Sequence, residues 1–126
     1  MPSYDAQHHD PPAPIARVIV RNPDNHSSVV EFDMLIDTGA DVTLLPRAVA
    51  GHLGVSLVDD VRYELAAFDG SKSVAPVAVL DMIFLNRVYR GRYVLIEGES
   101  GVIGRDVLNH VALLFDDPQQ QWLESK

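Results

Sequence analysis

Asp37-Thr38-Gly39-Ala40 is the stretch of this chain whose residue types carry chemistry. A carboxylate, a hydroxyl and a glycine follow one another between two apolar runs, Met34-Leu35-Ile36 and Val42-Thr43-Leu44-Leu45. A lone exposed carboxylate is ionised at neutral pH and is a poor base. Two carboxylates within hydrogen-bonding distance cannot both ionise cheaply, so such a pair retains one proton. Its ionised member can take a proton from a bound water while its protonated member donates to a polarised carbonyl oxygen. That chemistry needs two acids, and Asp-Thr-Gly occurs once in the 126 residues. A single copy implies two chains meeting about a two-fold axis, with the acids equivalent until substrate breaks the symmetry.

Strand ends are the elements that must position these groups. Ile15 to Arg21 alternates and is rich in β-branched residues, which predicts a first strand. Asn22-Pro23-Asp24-Asn25 reads as a turn, Ser28 to Ile36 as the strand that delivers Asp37, and Thr43 to Leu45 as a third strand. Pro46 suits the first turn of a short helix running to Leu53 and closed by Gly54. Val61 to Ala67 and Lys72 to Val79 flank Phe68-Asp69-Gly70-Ser71, and Asp-Gly between two such runs signals a hairpin. Leu80 to Leu85 and Val88 to Ile96 read as further strands, Glu97 to Gly101 as a loop. Gly104 to Asn109 reads as a short helix with Asp106 near its N-terminal end, where the dipole favours an acid. Val111 to Phe115 and Gln121 to Leu123, joined through Asp116-Asp117-Pro118, read as a closing strand pair. Many short strands with two short helices predict an all-β domain.

Composition bounds the remaining possibilities. A chain of 126 residues is one domain with a modest core, which a partner subunit would help to bury. A net charge of −8 argues against nucleic acid or an anionic membrane as the main partner, since both select basic surfaces. No apolar run approaches the ~20 residues of a membrane-spanning helix. With no cysteine there is neither a disulfide framework nor a thiolate metal site. His8-His9 reads as part of a solvated polar arm rather than a metal site, and no cofactor is expected. Residues 1–14, with Pro11, Pro12 and Pro14, read as a disordered arm ahead of one domain over 15–126. No apolar signal segment is present there, so Asn25-His26-Ser27 reads as a chance sequon and the expected location is cytoplasmic.

Leu35-Ile-Asp-Thr-Gly-Ala-Asp-Val-Thr-Leu-Leu-Pro46 resembles the active-site strand of the retropepsins, the retroviral-type aspartic proteases. Val102-Ile103-Gly104-Arg105-Asp106-Val107-Leu108 resembles the same family's hydrophobic-hydrophobic-Gly element and the helix after it. The resemblance spans about Ile15 to Trp122. The tail beyond Asn109 is more similar to single-domain cellular and bacterial members, or to Ddi-type protease domains, than to viral ones.

This resemblance implies a closed or curled β-barrel with one flap hairpin and one or two short helices. It also implies a homodimeric endopeptidase acting on peptide or protein segments bound as an extended strand. Asp37, Thr38 and Gly39 take the catalytic positions, the threonine hydroxyls bonding across the two subunits beneath the acids. Ala40, Asp41 and Val42 follow as substrate-binding residues, with Val102 and Ile103 as apolar pocket walls. Ala66 to Ser73 matches the flap, so Phe68, Asp69 and Gly70 are its expected contacts, although viral flaps carry more glycine. Arg105 is expected to bind Asp41 within the subunit and brace the active-site loop, a structural task suited to a planar guanidinium. Val111 to Phe115 and Trp122 are expected either at a dimer contact or closing a sheet. Two rivals stand beside the enzyme: a non-catalytic module of the same fold that binds peptides or dimerises, and an unrelated small barrel with a ligand in its mouth.

Overall fold

Apolar alternation sets the inner face of the molecule. In the strand Ala13–Asn22, Ala16, Val18 and Val20 are buried while Arg17 between them is exposed. The computed structural model describes residues 2–66 and 69–125. Its elements in chain order are β1 (Tyr4–Asp5), β2 (Ala13–Asn22), β3 (Asn25–Ile36), β4 (Leu44–Pro46), α1 (Arg47–Leu53), β5 (Leu57–Ala66) and β6 (Lys72–Phe84). There follow β7 (Arg87–Ile96), β8 (Gly101–Ile103), α2 (Arg105–Leu108), β9 (Leu113–Asp116) and β10 (Gln121–Glu124).

Among the described residues, one sheet runs β1-β2-β3-β8-β4-β7-β6-β5. It closes on itself because β2 also pairs with β6, Val20 opposite Met82 and Arg21 opposite Asp81. The result is the expected all-β barrel, with β5 and the first part of β6 projecting as a hairpin. Val18, Val20, Met34, Leu45, Leu80, Met82, Leu95 and Ile103 fill its interior, each at 1% exposure or less. Burying an aliphatic side chain of this size contributes about 1.5–3 kcal/mol, so the barrel interior is the main stabilising element. Two residues with positive φ, Leu85 (53°) and Asn86 (62°), make the tight β6–β7 turn. No helix among the described residues is long and apolar enough to cross a membrane.

Several boundaries differ from the sequence reading. Lys72 to Phe84 is one continuous strand rather than two, because it pairs β5 with its first half and β7 with its second. Gly101–Ile103, of which Gly101 was expected in a loop and Val102 and Ile103 were assigned to no strand, is a strand held between β3 and β4. Residues 2–14, expected to be disordered, carry β1, which pairs Tyr4 with Pro14 and Asp5 with Ala13. Tyr4 explains the difference: its ring packs on the core, and its hydroxyl donates to Asp117. Trp122, considered as a dimer contact, is spent inside its own chain. It is 2% exposed, its ring centroid lies 6.2 Å from that of Phe84, and its Nε1–H donates to the Ile15 carbonyl at 2.7 Å.

Candidate active site

β3 and β8 run parallel, with Leu35 beside Val102 and Ile36 beside Ile103. Each strand therefore ends at the same level, and the residues that follow, Asp37 and Gly104, leave the barrel together. Asp37 is half-buried there. Its amide donates to the Ile103 carbonyl at 3.1 Å, which extends the β3–β8 pairing by one residue. Its carboxylate Oδ1 accepts the Gly39 amide at 2.8 Å. One oxygen is thus fixed by the chain's own backbone, and the other has no partner among the described residues. A side chain on Gly39 would bring its Cβ to 3.1 Å from that same Oδ1, so the glycine permits the bond.

The loop from Asp37 to Val42 is held against α2 by two sets of bonds. In the first, the Arg105 amide donates to the Ala40 carbonyl at 2.9 Å and the guanidinium donates to the Thr38 carbonyl at 2.6 Å. The same guanidinium meets the Asp41 carboxylate, the pairing expected of these two residues. Asp41 is 73% exposed, however, so the ion pair contributes little by itself. Aiming the loop is the larger effect.

A second set was not anticipated. Thr43 is fully buried, and its hydroxyl donates to Asp106 Oδ1 at 2.6 Å while accepting the Gly104 amide at 3.1 Å. Its own amide donates to Asp106 Oδ2 at 3.1 Å. Asp106 had been read only as a charge at a helix start. The available signal was a threonine inside an otherwise apolar run, a polar group that burial obliges to find partners. Gly104 completes the set. A Cβ there would sit 2.4 Å from the Val42 carbonyl oxygen, so the backbones cross at a point where only glycine fits.

Gly39, Ala40, Asp41, Val42 and Leu44 form one side of a cleft of about 290 Å³, and Tyr63, Glu64 and Leu65 of β5 form the other. A larger cavity of about 490 Å³ lies against Ile15, Ile19 and Phe84, remote from the motif. Volume does not locate chemistry; the smaller cleft borders the carboxylate loop. Ile103, expected on a pocket wall, is instead fully buried. The reason is alternation: in β8 Gly101 and the Ile103 side chain are on the buried face, and Val102, half-buried, faces away. Val102 does not border this cleft. Leu44, Tyr63, Glu64 and Leu65, which do, were not singled out in the sequence.

At the hairpin tip, Asp69 Oδ1 accepts the Ser71 amide at 2.8 Å, and Gly70 takes φ +87°, a conformation that favours glycine. The Ser71 hydroxyl and amide hold the Asp69 carboxyl below the usual carboxylate range. Phe68 lies outside the described residues.

A family model for gag-polyprotein aspartyl proteases matches residues 27–110, two-thirds of the chain. The chain belongs to this retropepsin-like aspartyl protease family. The match takes in β3, the Asp37 loop, the hairpin, β8 and α2, which is the whole of the site just described. Among solved structures, EIAV protease complexed with the inhibitor HBY-793 is similar with a TM-score of 0.57 and 19% identity, over 78% of this chain and 86% of that one. In all, 147 solved chains match, so the retropepsin fold does not rest on one neighbour. No similar sequence was found among curated proteins.

Proposed function

We propose that this aspartyl-protease-family chain is an endopeptidase active as a homodimer, cutting extended, apolar-flanked peptide segments. One observation carries the reading. Asp37 stands at a strand end with one oxygen tied to the Gly39 amide at 2.8 Å and the other without a partner among the described residues, an arrangement that suits half of a two-acid site. The second half comes from a second copy, because the motif occurs once per chain.

In that dimer the two Asp37 carboxylates share one proton. The ionised member accepts a proton from a bound water as the water oxygen attacks the scissile carbonyl carbon. The protonated member gives its proton to the carbonyl oxygen. As the tetrahedral intermediate collapses and its C–N bond breaks, the carboxyl that took the water's proton passes it to the departing amine, and the other carboxylate takes a hydroxyl proton from the intermediate, so the pair again holds one proton. Thr38 is exposed and its hydroxyl has no hydrogen-bond partner among the described residues, which leaves it available to pair with its counterpart in the second copy. The β5–β6 hairpin, with Asp69 and Gly70 at its tip, serves as a flap that closes over the peptide and excludes water. Ala40, Asp41 and Val42 supply one wall of the binding cleft.

A peptide-library digest of wild type beside Asp37→Asn, each also sized by sedimentation, tests this. The wild type should cleave and sediment as a dimer; the nearly isosteric variant should dimerise and not cleave. Cleavage at the wild-type rate by Asp37→Asn, or an active species that is monomeric, would refute the proposal.

A further inference from the structure

Over most of its length β7 is paired on one side only. β6 runs along the whole strand, from Phe84 opposite Arg87 to Val77 opposite Val94, whereas β4 reaches only Val94, Leu95 and Ile96. From Val88 to Arg92, the side away from β6 has no strand neighbour among the described residues. Every second residue of a strand turns both its N–H and its C=O to the same side, so this stretch offers a row of backbone donors and acceptors. The place of the missing strand is kept clear. A cavity of about 420 Å³ lies there, with Val88 to Tyr93 on one wall and Asp106, Val107 and His110 on the other. Alternation settles which side chains flank it. Tyr93 and Leu95 are buried inward, so Val88, Arg90 and Arg92 form the outer face, and all three are exposed. Arg90 is already engaged: its Nε and Nη2 donate to the two oxygens of Asp81 at 2.7 and 3.2 Å. Arg92 has no acid partner among the described residues, in a chain with 18 acidic residues to choose from.

We infer that this edge of β7 docks an extended segment of a partner protein, added antiparallel as a further strand, with an acid opposite Arg92 and an aliphatic residue opposite Val88. Successive cross-strand partners on one face lie two residues apart, so in the partner the acid precedes the aliphatic residue by four. The residue midway between them faces Arg90, whose charge Asp81 already answers, and needs none of its own. Backbone bonds supply the affinity and the two outer positions supply the choice. Gly91 brings no side chain to the inner side of the edge, which leaves room for the partner residue opposite it. A second copy of this chain fits less well, because pairing about the middle of the edge sets Arg90 opposite Arg90, like charge on like charge. The site stands independently of the peptidase reading.

The test titrates the Asp37→Asn protein, which spares the ligand, with a blocked peptide of about seven residues. The peptide carries Glu at its second position, Val at its sixth and β-branched residues elsewhere. Binding should slow amide exchange in the Val88 to Arg92 stretch. N-methyl groups walked along the peptide should weaken binding about tenfold at every second residue and little at those between, since only alternate N–H groups face β7. Replacing the Glu by Gln should weaken binding about fivefold at low salt and less at high salt. In Arg92→Gln, an exposed substitution, the two peptides should bind equally. Absence of binding, or N-methyl effects without the two-residue period, overturns the site. A Glu preference that persists unchanged in Arg92→Gln overturns the assignment of Arg92. Slowed exchange along this edge without peptide, growing with protein concentration, identifies a second copy there and overturns the partner. A failure of the peptidase reading shows separately, as wild-type protein that does not cleave.

Discussion

Gly104→Ala should damage this protein more than the loss or gain of one methyl ordinarily does. Gly104 has φ −99°, which alanine adopts freely, so any effect is steric. The new Cβ would lie 2.4 Å from the Val42 carbonyl oxygen, 2.5 Å from its carbon and 2.9 Å from its nitrogen. Real Cβ contacts do not fall below 3.0 Å, so backbone must retreat from 2.4 Å to at least that distance. No side chain can swing aside to absorb the movement. Val42 precedes Thr43, whose hydroxyl holds both Asp106 and the Gly104 amide, so the retreat also stretches those bonds. Overpacking costs about 1–3 kcal/mol. A backbone clash coupled to buried hydrogen bonds belongs near the upper end, about 2–3 kcal/mol. For a domain of this size that is a fall in Tm of roughly 8–12 °C. Peptide cleavage should fall further than stability does, because a shift approaching 1 Å in a catalytic loop can cost about a hundredfold.

Urea denaturation at fixed protein concentration is the suitable assay, since dimerisation makes apparent stability depend on concentration. Gly51→Ala is the control. It lies in α1 with nothing within 4 Å of its would-be Cβ, and alanine there should stabilise by about 0.5–1 kcal/mol. A Gly104→Ala protein within about 0.5 kcal/mol of wild type would refute the reasoning, since that is the range of an unremarkable surface change.

Other perturbations read other parts of the fold. Thr43→Val keeps the shape but takes the hydroxyl from the buried Gly104 amide and leaves Asp106 Oδ1 with the Val107 amide alone, and should cost about 1–3 kcal/mol by the same denaturation assay. Arg105→Ala should change stability by no more than about 1 kcal/mol, because Asp41 is mostly exposed; its larger effect should be on cleavage, through the freed Thr38 carbonyl. Asp81, fully buried between strands, is held below the usual carboxylate range chiefly by its bonds to Arg90, with Arg21 helping and burial opposing. Its folded pKa is depressed, so its contribution is present above the ordinary value of about 3.9 and drains away as pH falls below it. Asp81→Asn should lose about 2–3 kcal/mol at neutral pH, somewhat under the cost of breaking a fully buried pair since Arg90 is half-exposed. Its stability should also fall less steeply than that of wild type below pH ~4; an unaltered acid limb would remove Asp81 as the cause.

Local patterning made most of the barrel legible. The β-branched alternation of residues 15–21, the Asp-Gly of the hairpin and the Gly54 helix stop are each short-range signals, and each element formed where its signal lies. Gly54 closes α1 at φ +70°, the left-handed geometry that glycine supplies. Elements that depend on distant partners were harder to read. β8 is three residues long, too short to announce itself, and is a strand because β3 and β4 flank it. β1 exists because Tyr4 has core to pack against, which no count of prolines reveals. Ile103 was assigned to a pocket wall by resemblance, but its inward face is decided by the register against Ile36.

The same distinction explains how the candidate site is built. Asp37, Thr38 and Gly39 are adjacent in sequence, so their types could be read directly. What aims them is not adjacent: Arg105 reaches back to the carbonyls of Thr38 and Ala40, and Asp106 reaches back to Thr43. A loop of six residues containing two small ones has too few contacts of its own to hold a carboxylate in one orientation. Bonds from α2 supply that rigidity, and they can do so because Gly104 lets the two segments cross in contact. The carboxylate is therefore local chemistry held by a long-range clamp. Changes in α2 should then reduce cleavage without touching any group that meets the peptide.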